Sequence, residues 1–297
     1  MSRKKNNVLV IDGNNMLYRA YYKFSDMRSA SGTPTGITYG FIYILKSLLA
    51  TFKPVALYVV FDGGRSKERM AILPDYKNRD KKEGFDKDDF YRQRDLTLEL
   101  LRCFGVKVIM RKKTEADDMI WLLIRKLKRK FNITLVSSDK DFNQLLSDAV
   151  SIWNPSKKML ITMDNIEAAF GYTHKQCVDY LILDGDASDH IPGMPGVGKK
   201  TIEKFFNQYE SIESFLSEPD SKFMKWDKGK LKYIYDRNKA LIDLRSFVTM
   251  YLKSSDIKII NKNNKVIDET ELRFICASSS IRTFVKPPFI KEFKNLL

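Results

Sequence analysis

The sequence predicts an α/β fold with a largely parallel central sheet flanked by helices. Three observations carry this expectation. Short β-branched runs recur at residues 8–11, 55–61, 106–110 and 133–136. The stretches between them place apolar residues at helical spacing. The runs also end in turn residues that carry aspartate, as in Asp12-Gly13-Asn14-Asn15 and Asp62-Gly63-Gly64.

Residues 8–11 read as a buried strand followed by a turn. In 37–52, Phe41, Leu45, Leu48 and Leu49 share one helical face, and Pro54 stops the helix. A helix over 96–104 precedes the strand at 106–110. Thr114-Glu115-Ala116-Asp117 opens a helix that runs to about Lys130. The strand at 133–136 ends in Ser137-Ser138-Asp139-Lys140-Asp141, and 142–146 starts the next helix. Residues 64–94 differ: Arg65, Lys67, Arg69, Lys77, Arg79, Lys81 and Lys82 stand among acids with little apolar content. This predicts an exposed insertion or a pair of poorly buried helices. After about residue 160 the strand signal fades. Residues 175–245 read mainly as helices, interrupted by the glycine- and proline-rich stretch 191–198. Residues 199–209 form an amphipathic helix carrying Ile202, Phe205, Phe206 and Tyr209. The last fifty residues give no clear pattern.

The chain has 297 residues, 43% of them hydrophobic, enough for a buried core. Its 52 Lys and Arg against 37 Asp and Glu leave a net charge of +15, which favours a polyanion partner. Cys103, Cys177 and Cys276 lie far apart with no CxxC pair, against both a zinc ribbon and a disulfide scaffold. His174 and His190 give a histidine-based hydrolase little to work with. The short apolar run after the basic start is no signal peptide, and no stretch is long enough to span a membrane, so a cytoplasmic protein is expected.

Against this basic background the acids are grouped. Asp12, Asp62, Asp139 and Asp141 each fall at, or just past, the carboxyl end of a predicted strand, the edge where open α/β sheets gather ligands. Glu115 and Asp118 share a helix face, and Asp184, Asp186 and Asp189 precede the glycine-rich stretch. So many carboxylates together require cations or protons. Oxygen donors with almost no His or Cys point to Mg²⁺ or Mn²⁺, and two such ions about 3.5–4 Å apart can hydrolyse a phosphodiester. Singly, the acids have plainer readings. Asp12 and Asp62 could serve turns, Asp117 could form a capping box with Thr114, and Asp139 and Asp141 could cap the following helix.

The blocks VLVIDGNNMLYRAYY (8–22), VVFDGG (59–64), LPDYKNRD (73–80), TEADDMI (114–120), LVSSDKDFNQLLSD (135–148) and LDGDASDHIPGMPGVGKKTIEKF (183–205) occur in order. Together they resemble the 5′-nuclease, or flap endonuclease, family: the stand-alone 5′–3′ exonucleases and the nuclease domain of bacterial DNA polymerase I. The resemblance implies a PIN-like nuclease domain over 1–175 and a mainly helical DNA-binding subdomain over 176–297, with a helix–hairpin–helix at about 183–209. It implies metal ligation by Asp12, Asp62, Glu115, Asp117, Asp118, Asp139, Asp141, Asp186 and Asp189, the last two serving a second ion. It makes 64–94 a helical arch in which Tyr76, Lys77 and Arg79 meet the 5′ strand. Lys77 would approach the scissile phosphate, with Arg79, or else Lys81 or Lys82, as the second cation. At the hairpin it implies DNA contacts from Gly196, Gly198, Lys199, Lys200 and Lys204. It further implies K⁺ held by the carbonyls of Leu183, Asp184, Pro192, Met194 and Val197. His190 stands where the family often has Asn. The expected protein is a monomeric, structure-specific 5′ nuclease acting on DNA flaps, overhangs, nicks or RNA-primed strands in replication or repair. A non-catalytic binder of branched DNA, or a Toprim-like phosphoryl-transfer enzyme, are the alternatives; the latter leaves Asp12, Asp62 and the hairpin unexplained.

Overall fold

In the computed structural model, residues 5–78, 84–259 and 266–296 are described. β1 (Asn7–Asp12) runs directly into α1 (Gly13–Phe24), because the Asp12 side chain accepts a hydrogen bond from the Asn15 amide and caps the helix. Gly13-Asn14-Asn15, expected as a turn after the strand, is thus the first turn of the helix. α2 (Gly36–Phe52) ends at Lys53, which takes a left-handed conformation just before Pro54. β2 (Ala56–Phe61) is followed by α3 (Lys67–Ile72), α4 (Lys87–Cys103), β3 (Lys107–Met110), α5 (Ala116–Leu127) and β4 (Asn132–Val136). The segment expected to begin a helix at 142 is a 3₁₀ turn, Lys140–Leu145. β5 (Val150–Asn154) and β6 (Met159–Ile161) come next, neither of them expected from the residue pattern.

The sheet order is β3-β2-β1-β4-β5-β6, parallel throughout except for β6. Strand alternation feeds two cores. Leu9 and Ile11 of β1 join one and Val8 and Val10 the other, all of them buried, as a sheet covered on both faces requires. α1, α2 and α4 cover one face and α5 the other.

The chain continues through α6 (Ile166–Phe170), α7 (Cys177–Asp184), the small hairpin β7 (Gly185–Asp186) and β8 (Ile191–Pro192), α8 (Lys199–Phe206), α9 (Ile212–Ser217), α10 (Lys228–Ile242) and α11 (Leu244–Tyr251). These helices extend the α5-side core through Ile202, Phe205, Phe215, Leu231 and Ile234. α12 (Glu269–Ser278) and α13 (Pro287–Leu296) return to the opposite face, where Phe293 stacks on Phe104 with ring centroids 4.3 Å apart. The end of the chain therefore belongs structurally to the sheet domain and not to the helical subdomain.

The 64–94 insertion divides in two. α4 is not poorly buried: Gln93 and Thr97 are enclosed, and Gln93 Oε1 accepts from the Ile37 amide at 2.8 Å. Thr38 donates to the Gln93 carbonyl at 3.0 Å. Polar residues that satisfy one another conceal this helix from a hydrophobicity pattern. Arg79, Lys81 and Lys82 lie outside the described residues.

Candidate active site

The three central parallel strands bring their carboxyl ends to one edge. Asp12 is the last residue of β1, Asp62 follows β2, and Asp139 and Asp141 follow β4. Three of these four acids are fixed by a local donor. Ser137 Oγ donates to Asp12 at 2.9 Å, Asn14 Nδ2 to Asp62 at 2.7 Å, and the Asp141 amide to Asp139 at 2.9 Å. The second Asp62 oxygen accepts the Ala116 amide at 2.7 Å, at the positive end of α5. That approach requires glycine at 63, where a Cβ would sit 1.8 Å from the Arg111 carbonyl oxygen.

The carboxylates act on one another. Burial, then the Asp62 and Asp139 charges, push Asp12 up to about 7 against the pull of its hydrogen bonds. Asp117 is driven well above the carboxylate range by burial and by Asp139, Asp12 and Asp62, with Lys77 opposing. Burial followed by Asp139 and Asp186 does the same to Asp141. Asp139 also rises on burial, with Asp186 and Asp189 contributing. The strand-end acids and the hairpin acids thus form one electrostatic unit. Asp141 Oδ1 is buried without a hydrogen-bond partner. Among the described residues the acids line the cleft without three of them closing into a ready coordination shell.

Glu115 is the exception. Its Oε1 accepts from the Ser66 amide at 3.1 Å; its Oε2 accepts from Tyr76 Oη at 2.8 Å and Lys77 Nζ at 2.7 Å. Burial would raise it, yet Lys77 and Arg69 outweigh burial and bring it down to about 2. Lys77 joins both halves of the site. Its amide donates to the Asp189 carbonyl at 3.0 Å, and its Nζ lies 3.5 Å from Asp189 Oδ2. It does so with φ at 53°, a left-handed conformation uncommon for a non-glycine residue and characteristic of functional sites.

Asp186 and Asp189 sit on the β7–β8 hairpin, where the Asp186 side chain accepts from the Ser188 amide at 2.7 Å. Gly185 makes the hairpin possible: φ is 73°, and a Cβ would meet the Gly193 nitrogen at 2.4 Å. Beyond it Gly196, Gly198, Lys199, Lys200 and Lys204 are exposed. Asn238, absent from the sequence expectations, ties the hairpin to α10 by donating to the Ile182 and Pro192 carbonyls, both at 3.0 Å.

Sequence comparison agrees with this geometry. The model of the 5′–3′ exonuclease N-terminal, resolvase-like domain matches residues 7–171, and that of the 5′–3′ exonuclease C-terminal SAM fold matches 172–265. The chain belongs to the 5′–3′ exonuclease family. It is 30% identical to a 5′–3′ exonuclease of Aquifex aeolicus over 269 residues, covering 89% of this chain and 92% of that one. It is 32% identical to DNA polymerase I of Bacillus subtilis over 254 residues, 84% of this chain but 28% of that longer protein. The fold matches a bacteriophage T5 5′-exonuclease with bound zinc at a TM-score of 0.73 and 19% identity, covering 92% and 99% of the two chains. A Rad2 catalytic core in complex with DNA matches at a TM-score of 0.55 and 16% identity, covering 99% and 91%. Membership makes the protein a nuclease that hydrolyses phosphodiesters.

Several residues of the expected site already have partners within the protein. Asp118, expected among the metal ligands, is buried with both oxygens accepting from Arg69, at 2.7 and 2.8 Å. Arg69, expected on an exposed insertion, is 1% exposed; its Nε donates to the Leu241 carbonyl and its guanidinium lies 3.7 Å from the Phe247 ring centroid. Tyr76, expected to meet the 5′ strand, is 2% exposed, and its hydroxyl donates to Glu115. Asp117 caps nothing: Glu115 is the N-cap residue of α5, without a side-chain capping bond. At the hairpin, the Pro192 carbonyl, one of the expected potassium ligands, accepts from Arg237 at 2.7 Å and from Asn238 at 3.0 Å. Asp184 is paired with Lys140 at 3.2 Å. His190 has φ of 58°, a left-handed conformation in which Asn and His are both enriched.

Proposed function

We propose that the protein is a structure-specific 5′ nuclease that uses two hard divalent cations, Mg²⁺ first among them, to cut near the junction of a 5′ single strand and a duplex. The observation that carries this is the convergence of Asp12, Asp62, Asp117, Asp139 and Asp141 at one sheet edge. There burial and mutual repulsion raise several of them, and a buried Asp141 oxygen lacks a partner. All-oxygen donors of this kind fit Mg²⁺ or Mn²⁺. Asp12, Asp62, Glu115, Asp117, Asp139 and Asp141 would hold the first cation, and Asp186 and Asp189, which act electrostatically on Asp139, the second. Bound there, the pair would activate a water and stabilise the leaving oxygen.

The protein's own groups supply the rest. Lys77, between Glu115 and Asp189, offers a cation to the phosphate as negative charge grows in the transition state. The exposed glycines and lysines at 196–204 let a duplex backbone approach closely without reading its sequence. K⁺ at this hairpin would draw on the carbonyls of Leu183, Asp184, Met194 and Val197. Flaps, nicked duplexes and RNA-primed strands are the proposed substrates, and replication or repair by a monomer the setting.

A labelled 5′-flap duplex incubated with Mg²⁺, beside an Asp139→Ala Asp141→Ala variant, tests the reading. Wild type should release the flap and the variant should bind it without cutting. An intact flap across a series of divalent metals rejects the flap assignment, and equal cleavage by the variant rejects the carboxylate site.

A further inference from the structure

Away from the cleft, a cavity of about 1020 Å³ opens between the carboxyl end of α5 and the start of α11. Asp117, in the cleft, and the end of α5 are ten helical steps apart, about 15 Å. The cavity is lined by Arg125, Lys126, Lys128 and Arg129 from one side and Arg245 from the other, with Trp121 between them. Among the described residues none of these five cations has a carboxylate within ion-pair distance. The acid on the wall, Asp243, is already engaged, accepting from the Arg245 and Ser246 amides and from Ser246 Oγ. Cations at the end of α5 suit its dipole, but Arg245 stands in the first turn of α11, where the dipole opposes positive charge. Helix electrostatics therefore do not account for this convergence. The Arg125 guanidinium lies 5.4 Å from the Trp121 ring centroid, joining an aromatic surface to the charge.

The cavity also has a definite relation to the arch. Phe247 of α11 lies under Arg69 at the base of α3, whereas Arg245 and Thr249 face the cavity. Two residues along a helix is about 200° of rotation, so cavity and arch base occupy opposite sides of one helix. The floor is braced by Gln144, which donates to the Asp141 and Ile242 carbonyls and accepts from the Leu244 amide.

We propose that this cavity is a second nucleic-acid site, which holds the phosphodiester backbone of a long 5′ single strand beyond the cut site. It rests on the 5′-nuclease reading above. Unpaired cations beside an aromatic ring are the chemistry that binds single strands without sequence preference.

The test measures binding of flap DNA in Ca²⁺, with long and short flaps on the same duplex. Wild type is compared with an Arg125→Glu Lys128→Glu Arg129→Glu variant. These residues lie on the surface and outside the catalytic cleft. Long-flap Kd should rise about tenfold, and the slope of log Kd against log salt should fall by about 0.7 for each phosphate that the variant no longer neutralises. Short-flap Kd, and short-flap cleavage in Mg²⁺, should not move. Equal losses on both flaps, no loss on either, or a loss that follows duplex length each overturn the proposal. So does a variant that binds both flaps as wild type does but loses a polyglutamate probe, which would make the ligand an acidic polypeptide. Because the comparison reads binding to uncut DNA, failure of wild type to cleave flaps would reject the nuclease reading separately.

Discussion

Lys77 is the residue on which the two groups of acids depend. With its amide on Asp189 and its ammonium on Glu115, it holds a left-handed backbone that a lysine would not otherwise prefer. Lys77→Ala should lower kcat on flap DNA by about 10²–10³ while Kd in Ca²⁺ changes by less than a few fold. Matching losses in the two would reduce Lys77 to a docking contact. Arg69 acts differently, since it is enclosed and spends its donors on Asp118 and the Leu241 carbonyl. Arg69→Met strands the Asp118 charge and should cost about 3–5 kcal/mol in urea unfolding, most of it recovered in an Arg69→Met Asp118→Leu double variant. If the single variant unfolds like wild type, the ion pair contributes nothing to the fold.

At the scale of elements, the site is a junction of loops that touch because side chains are missing there. Gly63 lies against the Arg111 carbonyl, and the Gly63 amide donates to the Thr114 carbonyl at 2.9 Å. This brings the end of β2 to the start of α5, so Asp62 reaches the Ala116 amide. Gly63→Ala should force the two loops apart, lowering stability by about 3 kcal/mol in thermal unfolding and raising the Mg²⁺ needed for half-maximal cleavage. An unchanged metal requirement would separate the loop contact from the carboxylate geometry.

For the whole molecule, the accumulated negative charge at the sheet edge sets how stability varies with pH. An unfolded chain releases the Asp12 proton near pH 3.8, whereas the folded chain keeps it to about 7. Between those values the native state binds more protons, so stability falls as pH rises; Asp117, Asp139 and Asp141 act in the same sense. Glu115 is shifted the other way, to about 2, and its contribution is lost only below pH 4.5. In EDTA, Tm should therefore decline from pH 5 to pH 8, and added Mg²⁺ should raise Tm more at pH 8 than at pH 5. Calorimetry showing an equal metal effect at both pH values would mean that the raised carboxylates are not the metal ligands.

The sequence by itself determined the periodicities, the strand-end acids and the basic excess. These are local or compositional properties, so β1, β2, β3, β4, α2 and α5 were legible, as were Asp12, Asp62, Asp139 and Asp141. The ordered motif blocks added the hairpin and its glycines. α4 was only partly legible, because Gln93 and Thr97 are buried through mutual hydrogen bonds that a hydrophobic pattern does not register. Only the tertiary structure decided what each charge faces. It turned Arg69 inward onto Asp118 and Phe247, spent Tyr76 on Glu115, and carried α12 and α13 back to the sheet domain. It also set Arg245 across a cavity from Arg125, 120 residues earlier in the chain. The physical reason is the same throughout: burial and charge compensation depend on partners distant in sequence, and neither spacing nor composition records who those partners are.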